Sequence, residues 1–260
     1  MMFNVFILLA GCQQSFTPPS VASPQSTSAE VFVDEHWKDW EGWTTYQNKE
    51  GRVISPEQGN ILLGEERLQL GISPVPVANF EKLTDKYNNT FVLGGKKFGP
   101  TDGTKIVVEF QYTVPSTYQG STGLWVEKSN IIVDGQLTDE GFEGAFGLNY
   151  LSYDSEASGM AGLSFAYFEG WWPLCTLKIE GVDPFVQNTY RIEWSKSGWA
   201  GYVNGSLVGV CKNYEFEEGE IQLWADNYYV PQIWDLKQLN PKATQHVTYG
   251  PIKIWSEPVP

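Results

Sequence analysis

The sequence predicts an all-β protein of two packed antiparallel sheets, and three observations carry this prediction. Residues 189–209, TYRIEWSKSGWAGYVNGSLVG, are two runs of alternating residues around a turn. In the first run, one face of the predicted strand carries Tyr190, Ile192 and Trp194, because side chains alternate with a period of two. The second run ends in Asn204-Gly205, a strong signal for a type I′ hairpin turn. Finally, 26 glycines and 15 prolines separate short apolar runs, and no long helical period is present.

Further strand-like segments follow one another along the chain with turn residues between them. In order they are VFVDE, NILLG, RLQLGIS, KIVVEFQYTV, GLWVEK, NIIVDG, EGAFGLNYLSY, GLSFAYFEG, CTLKIEG, YRIEWS, AGYVNG, SLVGVC, EIQLWADN and PIKIW. Residues 73–104 contain Pro74, Pro76 and the pairs NN and GG, and are predicted to form a long loop or rim insertion. Because no linker interrupts the pattern, we expect one domain over residues 31–260.

Composition excludes several classes of partner. The formal net charge is −14 with only 17 Lys plus Arg, which argues against nucleic acid and against electrostatic docking on anionic lipid. Acidity of this size is also typical of a protein selected simply for solubility. The eleven tryptophans exceed average composition several-fold and indicate, beyond the core, a surface that stacks against a ligand.

The amino terminus indicates a location. Residues 1–12, MMFNVFILLAGC, form a short apolar run that ends in small residues and Cys12, although no Lys or Arg precedes the run. This segment resembles the lipobox of bacterial lipoproteins, which implies a signal peptide at 1–11 and lipidation of Cys12. A short ordinary signal peptide or a chance match is the alternative. Residues 12–30 are then a disordered tether rich in Ser, Pro and Gln, and the protein is lipid-anchored in the bacterial cell envelope. If the cell has two membranes, Gln13 fits sorting to the outer one.

The remaining cysteines and the two histidines limit the kinds of cross-link, metal site and catalytic mechanism that the protein can have. Cys175 and Cys211 are an even pair that an oxidising compartment would join in a disulfide, with two buried thiols as the alternative. The two histidines, His36 and His246, are isolated in the sequence. A zinc site and a Ser-His-Asp mechanism are therefore not expected.

The order and spacing of these segments resemble the laminarinase-like glycoside hydrolases of the concanavalin A-like jelly-roll superfamily. The matching segments, in chain order, are Val33–Trp43, Asn60–Ile72, the strand STGLWVE (121–127), the hairpin TYRIEWSKSGWAGYVNGSLVG and the closing strand PIKIW (251–255). The hairpin is the most specific of them. The resemblance implies a two-sheet jelly-roll sandwich in which the concave face of one sheet is a sugar-binding groove lined by aromatic residues.

The catalytic motif of that family is incomplete here. Its members carry Glu-x-Asp-x-x-Glu on the strand that corresponds to FEGAFGLNY, residues 142–150. If Glu143 takes the first position, then Ala145 and Leu148 stand where the other two carboxylates belong. A retaining hydrolase needs one charged and one protonated carboxyl about 5–5.5 Å apart, so the standard mechanism fails. Three other glutamates, in or beside predicted strands or their loops, are candidates to replace the missing carboxylate: Glu127, Glu140 and Glu169. None has the motif spacing, and a solvated surface position is the simpler interpretation of each.

Strand parity predicts a binding face. In EIQLWADN, residues Gln222, Trp224 and Asp226 share one face, while the opposite face is apolar. By the same parity Trp125 and Glu127 form a second pair. The full set of predicted carbohydrate-binding residues is Trp125, Glu127, Glu143, Trp171, Trp172, Gln222, Trp224 and Asp226, with Trp171-Trp172 on a loop at the groove rim. Taken singly, each tryptophan is more often a core or scattered surface residue.

Three functions remain open. The leading one is a cell-surface lipoprotein, monomeric, that binds a polysaccharide or oligosaccharide without cleaving it. The second is a glycoside hydrolase, or a polysaccharide lyase, of the same fold with a non-standard carboxylate pair involving Glu143 and Glu127. The third is a structural envelope lipoprotein. No cofactor is expected; a structural calcium ion stays open, because residues 134–143 are acidic, although Gly250 and Pro251 stand where the family places a calcium-binding Asp.

Overall fold

The computed structural model describes residues 29–259 with the exception of 40, 50–51, 55–60, 75–88, 129–131, 134–135, 138–142, 154–161, 170–171, 213–215 and 233–234. The predicted signal peptide, the lipidation of Cys12 and most of the tether lie outside these residues. None of the described residues forms a helix long and apolar enough to cross a membrane.

The described residues form twenty strands and no helix, which confirms the predicted all-β class. Sheet 1 contains, in spatial order, β16 (Ser206–Lys212), β15 (Gly198–Val203), β14 (Asn188–Ser195), β7 (Thr104–Thr113), β20 (Gln245–Pro258), β5 (Arg67–Ile72) and β4 (Ile61–Gly64), with β1 (Val31–Glu35) also paired to β20. Sheet 2 contains β13 (Trp172–Lys178), β12 (Gly162–Glu169), β11 (Gly144–Leu151), β8 (Ser121–Glu127), β17 (Gly219–Asp226), β6 (Asn89–Phe98), β2 (Thr44–Lys49) and β3 (Arg52–Ile54). Two short ribbons pair β9 (Ile132–Val133) with β10 (Gln136–Leu137) and β18 (Tyr228–Gln232) with β19 (Asp235–Gln238).

The core lies between the two sheets and explains the aromatic hairpin. Strands β14 and β15 pair in sheet 1, and the apolar face of β14 is buried in the core through Tyr190, Ile192 and Trp194. At the turn, Asn204 and Gly205 both have positive φ angles, 49° and 79°, as a type I′ turn requires. The aromatic residues of β14 therefore pack in the core between the two sheets.

Strand β6 corrects the described part of the long loop predicted over residues 73–104, whereas residues 75–88 lie outside the described residues. It pairs with β17 inside sheet 2, and its side chains alternate between the core (Val92) and the opposite face of the sheet (Phe91, Leu93). Because both faces of β6 carry apolar residues, its sequence lacks the alternation of polar and apolar residues that is typical of a half-buried strand. The GG pair is part of this strand. Glycine suits position 94 because a Cβ there would come within 2.8 Å of Ile221 and 2.9 Å of Trp43.

A disulfide joins the two sheets at one side of the sandwich. Cys175 lies on the edge strand β13 of sheet 2, and Cys211 lies on the edge strand β16 of sheet 1. Their Cα atoms are 6.2 Å apart. The cross-link therefore connects strands that share no backbone hydrogen bonds.

We expect the double variant Cys175→Ser/Cys211→Ser to lower the free energy of unfolding by about 2–4 kcal/mol, because the cross-link restricts the unfolded chain. Urea unfolding with and without a reductant measures this. The reductant should destabilise the wild type and leave the double variant unchanged. Equal stability of the oxidised wild type and the variant would show that the disulfide contributes nothing.

Candidate functional site

The outer face of sheet 2, the face turned away from the core, is organised by an unbroken register. Strands β11, β8 and β17 pair without a bulge, so residues of the three strands stand in rows across the sheet. The first row is Ala145, Glu127 and Glu220; the second is Gly147, Trp125 and Gln222; the third is Asn149, Gly123 and Trp224; the fourth is Leu151, Ser121 and Asp226. The sequence-predicted residues Trp125, Glu127, Gln222, Trp224 and Asp226 are thus brought together on one face.

An aromatic cluster occupies the middle of this face. It consists of Phe91, Leu93, Trp125 and Trp224. The rings of Trp125 and Trp224 have centroids 4.4 Å apart, and the indole of Trp224 extends over Gly123, where a Cβ would come within 2.6 Å of it. Trp224 is 6% exposed, whereas Trp125 is partly exposed. Trp125 is therefore the ring that a ligand can reach first.

Polar groups fix the orientation of both indoles. Trp125 Nε1 donates to Asn149 Oδ1 at 2.7 Å, and Trp224 Nε1 donates to Ser121 Oγ at 3.3 Å. Ser121 Oγ in turn donates to Asp226 Oδ1 at 2.8 Å. The same Asp226 oxygen accepts from the backbone N–H groups of Ser121 and Tyr228. Asp226 therefore ties the ends of β8 and β17 together, and its contact with a sugar stays a prediction.

A pair of buried glutamates lies at the other end of the face. Glu127 and Glu220 stand directly opposite each other on β8 and β17 and are 1% and 6% exposed. Burial and the neighbouring Glu220 raise the pKa of Glu127 to about 9, so its carboxyl is protonated at neutral pH. Burial also raises the pKa of Glu220, while nearby Lys97 opposes this shift. The two groups thus differ in how strongly they hold a proton.

Three polar atoms of Glu127 and its neighbour Gln222 lack hydrogen-bond partners in the described part of the chain. Within the described part of the chain, neither carboxyl oxygen of Glu127 nor Oε1 of Gln222 has a hydrogen-bond partner. Gln222 is 5% exposed and lies diagonally across from Glu127. A buried polar group without a partner costs about 1–3 kcal/mol, so a partner from outside the chain, such as a water molecule or a ligand, would stabilise these atoms.

Strand β11 corrects the assignment of the family motif. The third motif position follows the second by three residues, so that position can face the groove only if the strand contains a bulge. Strand β11 pairs with both of its neighbours without a bulge, and Leu148 therefore lies in the core between the sheets. The residues of β11 on the outer face are instead Ala145, Gly147, Asn149 and Leu151. Glu143 precedes the strand, is exposed and lies 3.4 Å from Lys128 Nζ. None of these positions on β11 carries a carboxylate.

Sequence reasoning also misjudged Glu127 and missed two residues. A solvated surface position was expected for Glu127, but its row places it between β17 and β11 in the centre of the sheet, where both neighbours cover it. Glu220 was missed although it has the same parity as Gln222 in EIQLWADN. Asn149 was missed because the motif directed attention to positions 143, 145 and 148 only.

Two predictions fall partly outside the described residues. Trp171 is not described, and Trp172 begins β13 without a described side chain, so their position at the groove rim stays a prediction. The acidic stretch 134–143 is described in part. Among the described residues no cluster of His, Cys, Asp and Glu that could hold a metal ion is found.

Solved structures share this fold. An endo-β-1,3-glucanase from Pyrococcus furiosus superposes with a TM-score of 0.61 at 15% identity, over 88% of this chain and 94% of that chain. A LamA variant from Z. galactanivorans, in complex with laminaritriose and laminaritetraose, gives 0.59 at 15% identity over 86% and 98%. The β-glucanase of Bacillus licheniformis gives 0.57 at 13% identity over 88% and 99%. No family profile and no curated protein matches the sequence. The chain therefore has the concanavalin A-like jelly-roll fold that the sequence predicts.

The pKa of Glu127 predicts how stability depends on pH. Because the folded protein holds this proton up to about pH 9 and the unfolded chain releases it near pH 4.5, wild-type stability should fall across that window relative to Glu127→Gln. The slope is at most about 1.4 kcal/mol per pH unit, the value for one bound proton. Urea unfolding at several pH values measures it.

The exposed Glu180→Gln is the matched control and should follow the wild type at every pH. Parallel curves for wild type and Glu127→Gln between pH 5 and 9 would contradict a protonated Glu127.

Proposed function

We propose that the outer face of sheet 2 binds polysaccharide. The observation that carries the proposal is the pair of indoles of Trp125 and Trp224, held 4.4 Å apart beside the amides of Asn149 and Gln222. Aromatic rings stack on the apolar faces of pyranose rings, while amides and carboxyls bind the hydroxyl groups at their edges. The solved glucanases of the same fold support the choice of carbohydrate as the ligand class.

Charge restricts the carbohydrate to neutral polymers. The chain has a net charge of −14, and Glu220 and Asp226 lie on the binding face. Uronate or sulfated polymers would be repelled by these charges, and no described arginine or lysine side chain forms part of the four rows to offset them. Neutral β-glucans are therefore the first probes to use.

Binding does not need a carboxylate on β11, the strand that corresponds to the catalytic strand of the family that the sequence resembles. The outer-face positions of β11 are Ala145, Gly147, Asn149 and Leu151, and Asn149 Oδ1 accepts a hydrogen bond from Trp125 Nε1. We therefore propose that β11 contributes to binding the sugar. The predicted lipid anchor at Cys12 would hold a monomeric binding domain at the cell envelope, where a polysaccharide is accessible, with the tether of residues 12–30 giving it reach.

The variant Trp125→Ala should weaken binding of a neutral β-glucan such as laminarin by tenfold or more, because it removes the partly exposed ring of the site. Titration calorimetry or the change in tryptophan fluorescence measures the affinity. Trp255→Ala is the matched control: this partly exposed tryptophan lies on sheet 1, with the Arg191 guanidinium 5.5 Å from its ring centroid.

Equal losses in the two variants would show that the binding surface is elsewhere. Failure of the wild type to bind any glucan, galactan or alginate would favour a purely structural envelope protein instead.

A further inference from the structure

A cavity of about 300 Å³ lies on the opposite side of the sandwich, on the outer face of sheet 1. We propose that this cavity is a second saccharide site, which binds the end of a neutral glycan through its hydroxyl groups. Together with the outer face of sheet 2, it would let one molecule bridge two polysaccharide chains. The second site stands on its own observations, whereas the bridging rests on the proposed function.

Strand parity and a bulge form the cavity. The core residues Phe110 and Tyr112 flank Gln111 on β7, so the side chain of Gln111 faces outward. Opposite it, β20 has a bulge that contains Gly250 and Pro251, and bulges are frequent beside functional sites. Glycine suits position 250 because a Cβ there would come within 2.8 Å of Gln111 Oε1. The bulge therefore leaves room for this amide beside the cavity.

Amides and hydroxyls form part of the lining. They belong to Gln111, Gln187, Thr113 and Thr248. Gln187 Nε2 donates to Gln111 Oε1, and among the described residues no group accepts a hydrogen bond from Gln111 Nε2. Thr113 and Thr248 stand opposite each other on β7 and β20. Together these groups can donate to and accept from the hydroxyl groups of a ligand.

Three consecutive charged residues also line the cavity: Glu65, Glu66 and Arg67. All three are exposed, and none forms a salt bridge with another described residue. Elsewhere on the outer face of sheet 1, by contrast, the Arg191 guanidinium lies 2.7 Å from the Glu193 carboxylate. The charges beside the cavity are therefore available to a ligand.

The turn that carries the two glutamates is made of unfavourable residues. Glu65 and Glu66 have φ angles of 54° and 58° and join β4 to β5 as a two-residue turn. Such turns favour Asn-Gly, which the turn between β15 and β16 has in Asn204-Gly205. Non-glycine residues are strained in this conformation, and strained residues cluster at functional sites. The unusual turn thus agrees with a functional position for the two carboxylates.

Size and charge select the class of ligand. Small-molecule sites typically have volumes of about 300–1,000 Å³, so this cavity suits a short saccharide segment. Glu65 and Glu66 would repel an anion, whereas Arg67 would repel a cation. Tyr112 offers no stacking surface, because its side chain is buried in the core. A neutral ligand that is bound by its hydroxyl groups, and not by ring stacking, fits this lining.

The two sites face in opposite directions. Trp125 lies on the outer face of sheet 2 and Gln111 on the outer face of sheet 1, with the core between the sheets. A short oligosaccharide cannot reach both faces, so the two sites would bind separate chains. Two separated sites on one molecule strengthen its attachment to a polymer and cross-link its chains.

Titration calorimetry of the full chain with laminaritriose, which is too short to reach both faces, counts the sites. We expect two sites in the wild type and one in Arg67→Ala/Gln111→Ala, because each lost hydrogen-bonding group should weaken the cavity site by about tenfold or more. The site retained on sheet 2 would also show that the double variant folds. Trp125→Ala should keep the cavity site alone. Lys212→Ala removes an exposed cation of β16 outside the cavity and should keep both sites.

Agglutination of laminarin-coated beads tests the bridging. The wild type should agglutinate the beads, whereas Trp125→Ala and Arg67→Ala/Gln111→Ala should bind to them without agglutination, because one site cannot bridge. Agglutination that survives in both variants would overturn bridging by these two sites.

The outcomes of the titration are distinct. A single site that is lost in Trp125→Ala and unchanged in Arg67→Ala/Gln111→Ala would overturn the second site and leave the proposed function standing. A single site that is lost only in Arg67→Ala/Gln111→Ala would support the cavity and overturn the proposed function of sheet 2. Absence of binding in the wild type would overturn both.

Discussion

The register between β11, β8 and β17 is the constraint on which the site depends. Because the three strands pair without a bulge, same-face residues from segments distant in sequence form rows across the sheet. A shift of one residue would turn Trp125 and Glu127 into the core and bring Leu124 and Val126 to the outer face. The register is fixed by those same core residues, whose burial between the sheets rules out the shifted pairing.

Sheet 2 uses its two faces differently. One face contributes aliphatic and aromatic residues to the core, and the other combines an aromatic cluster with carboxyls and amides. Asp226 and Asn149 form hydrogen bonds within the sheet and hold the indoles in position, whereas the carboxyl of Glu127 and Oε1 of Gln222 have no hydrogen-bond partner among the described residues. The first pair fixes the arrangement of the aromatic cluster, and the second provides the polar atoms that the proposed sugar ligand would contact.

Local pattern predicted most of the sandwich and part of the site. Alternation in β14 and the Asn-Gly turn gave the aromatic hairpin, and the parity of EIQLWADN placed Gln222, Trp224 and Asp226 on one face. Parity cannot show how deeply a residue is covered, because burial depends on neighbours from β6 and β11 that are distant in sequence. Strand β6 itself was missed because NN and GG pairs are typical of loops. Glu220 was missed because its importance arises from Glu127, which lies opposite it on β8.

The most direct measurement is a crystal structure of the chain with a bound neutral β-glucan oligosaccharide. We predict a sugar ring stacked on Trp125 and hydrogen bonds from the sugar to Gln222 and Glu127. An oligosaccharide bound only on the outer face of sheet 1, or only at a loop away from β8 and β17, would contradict the assignment of the outer face of sheet 2 as the functional surface.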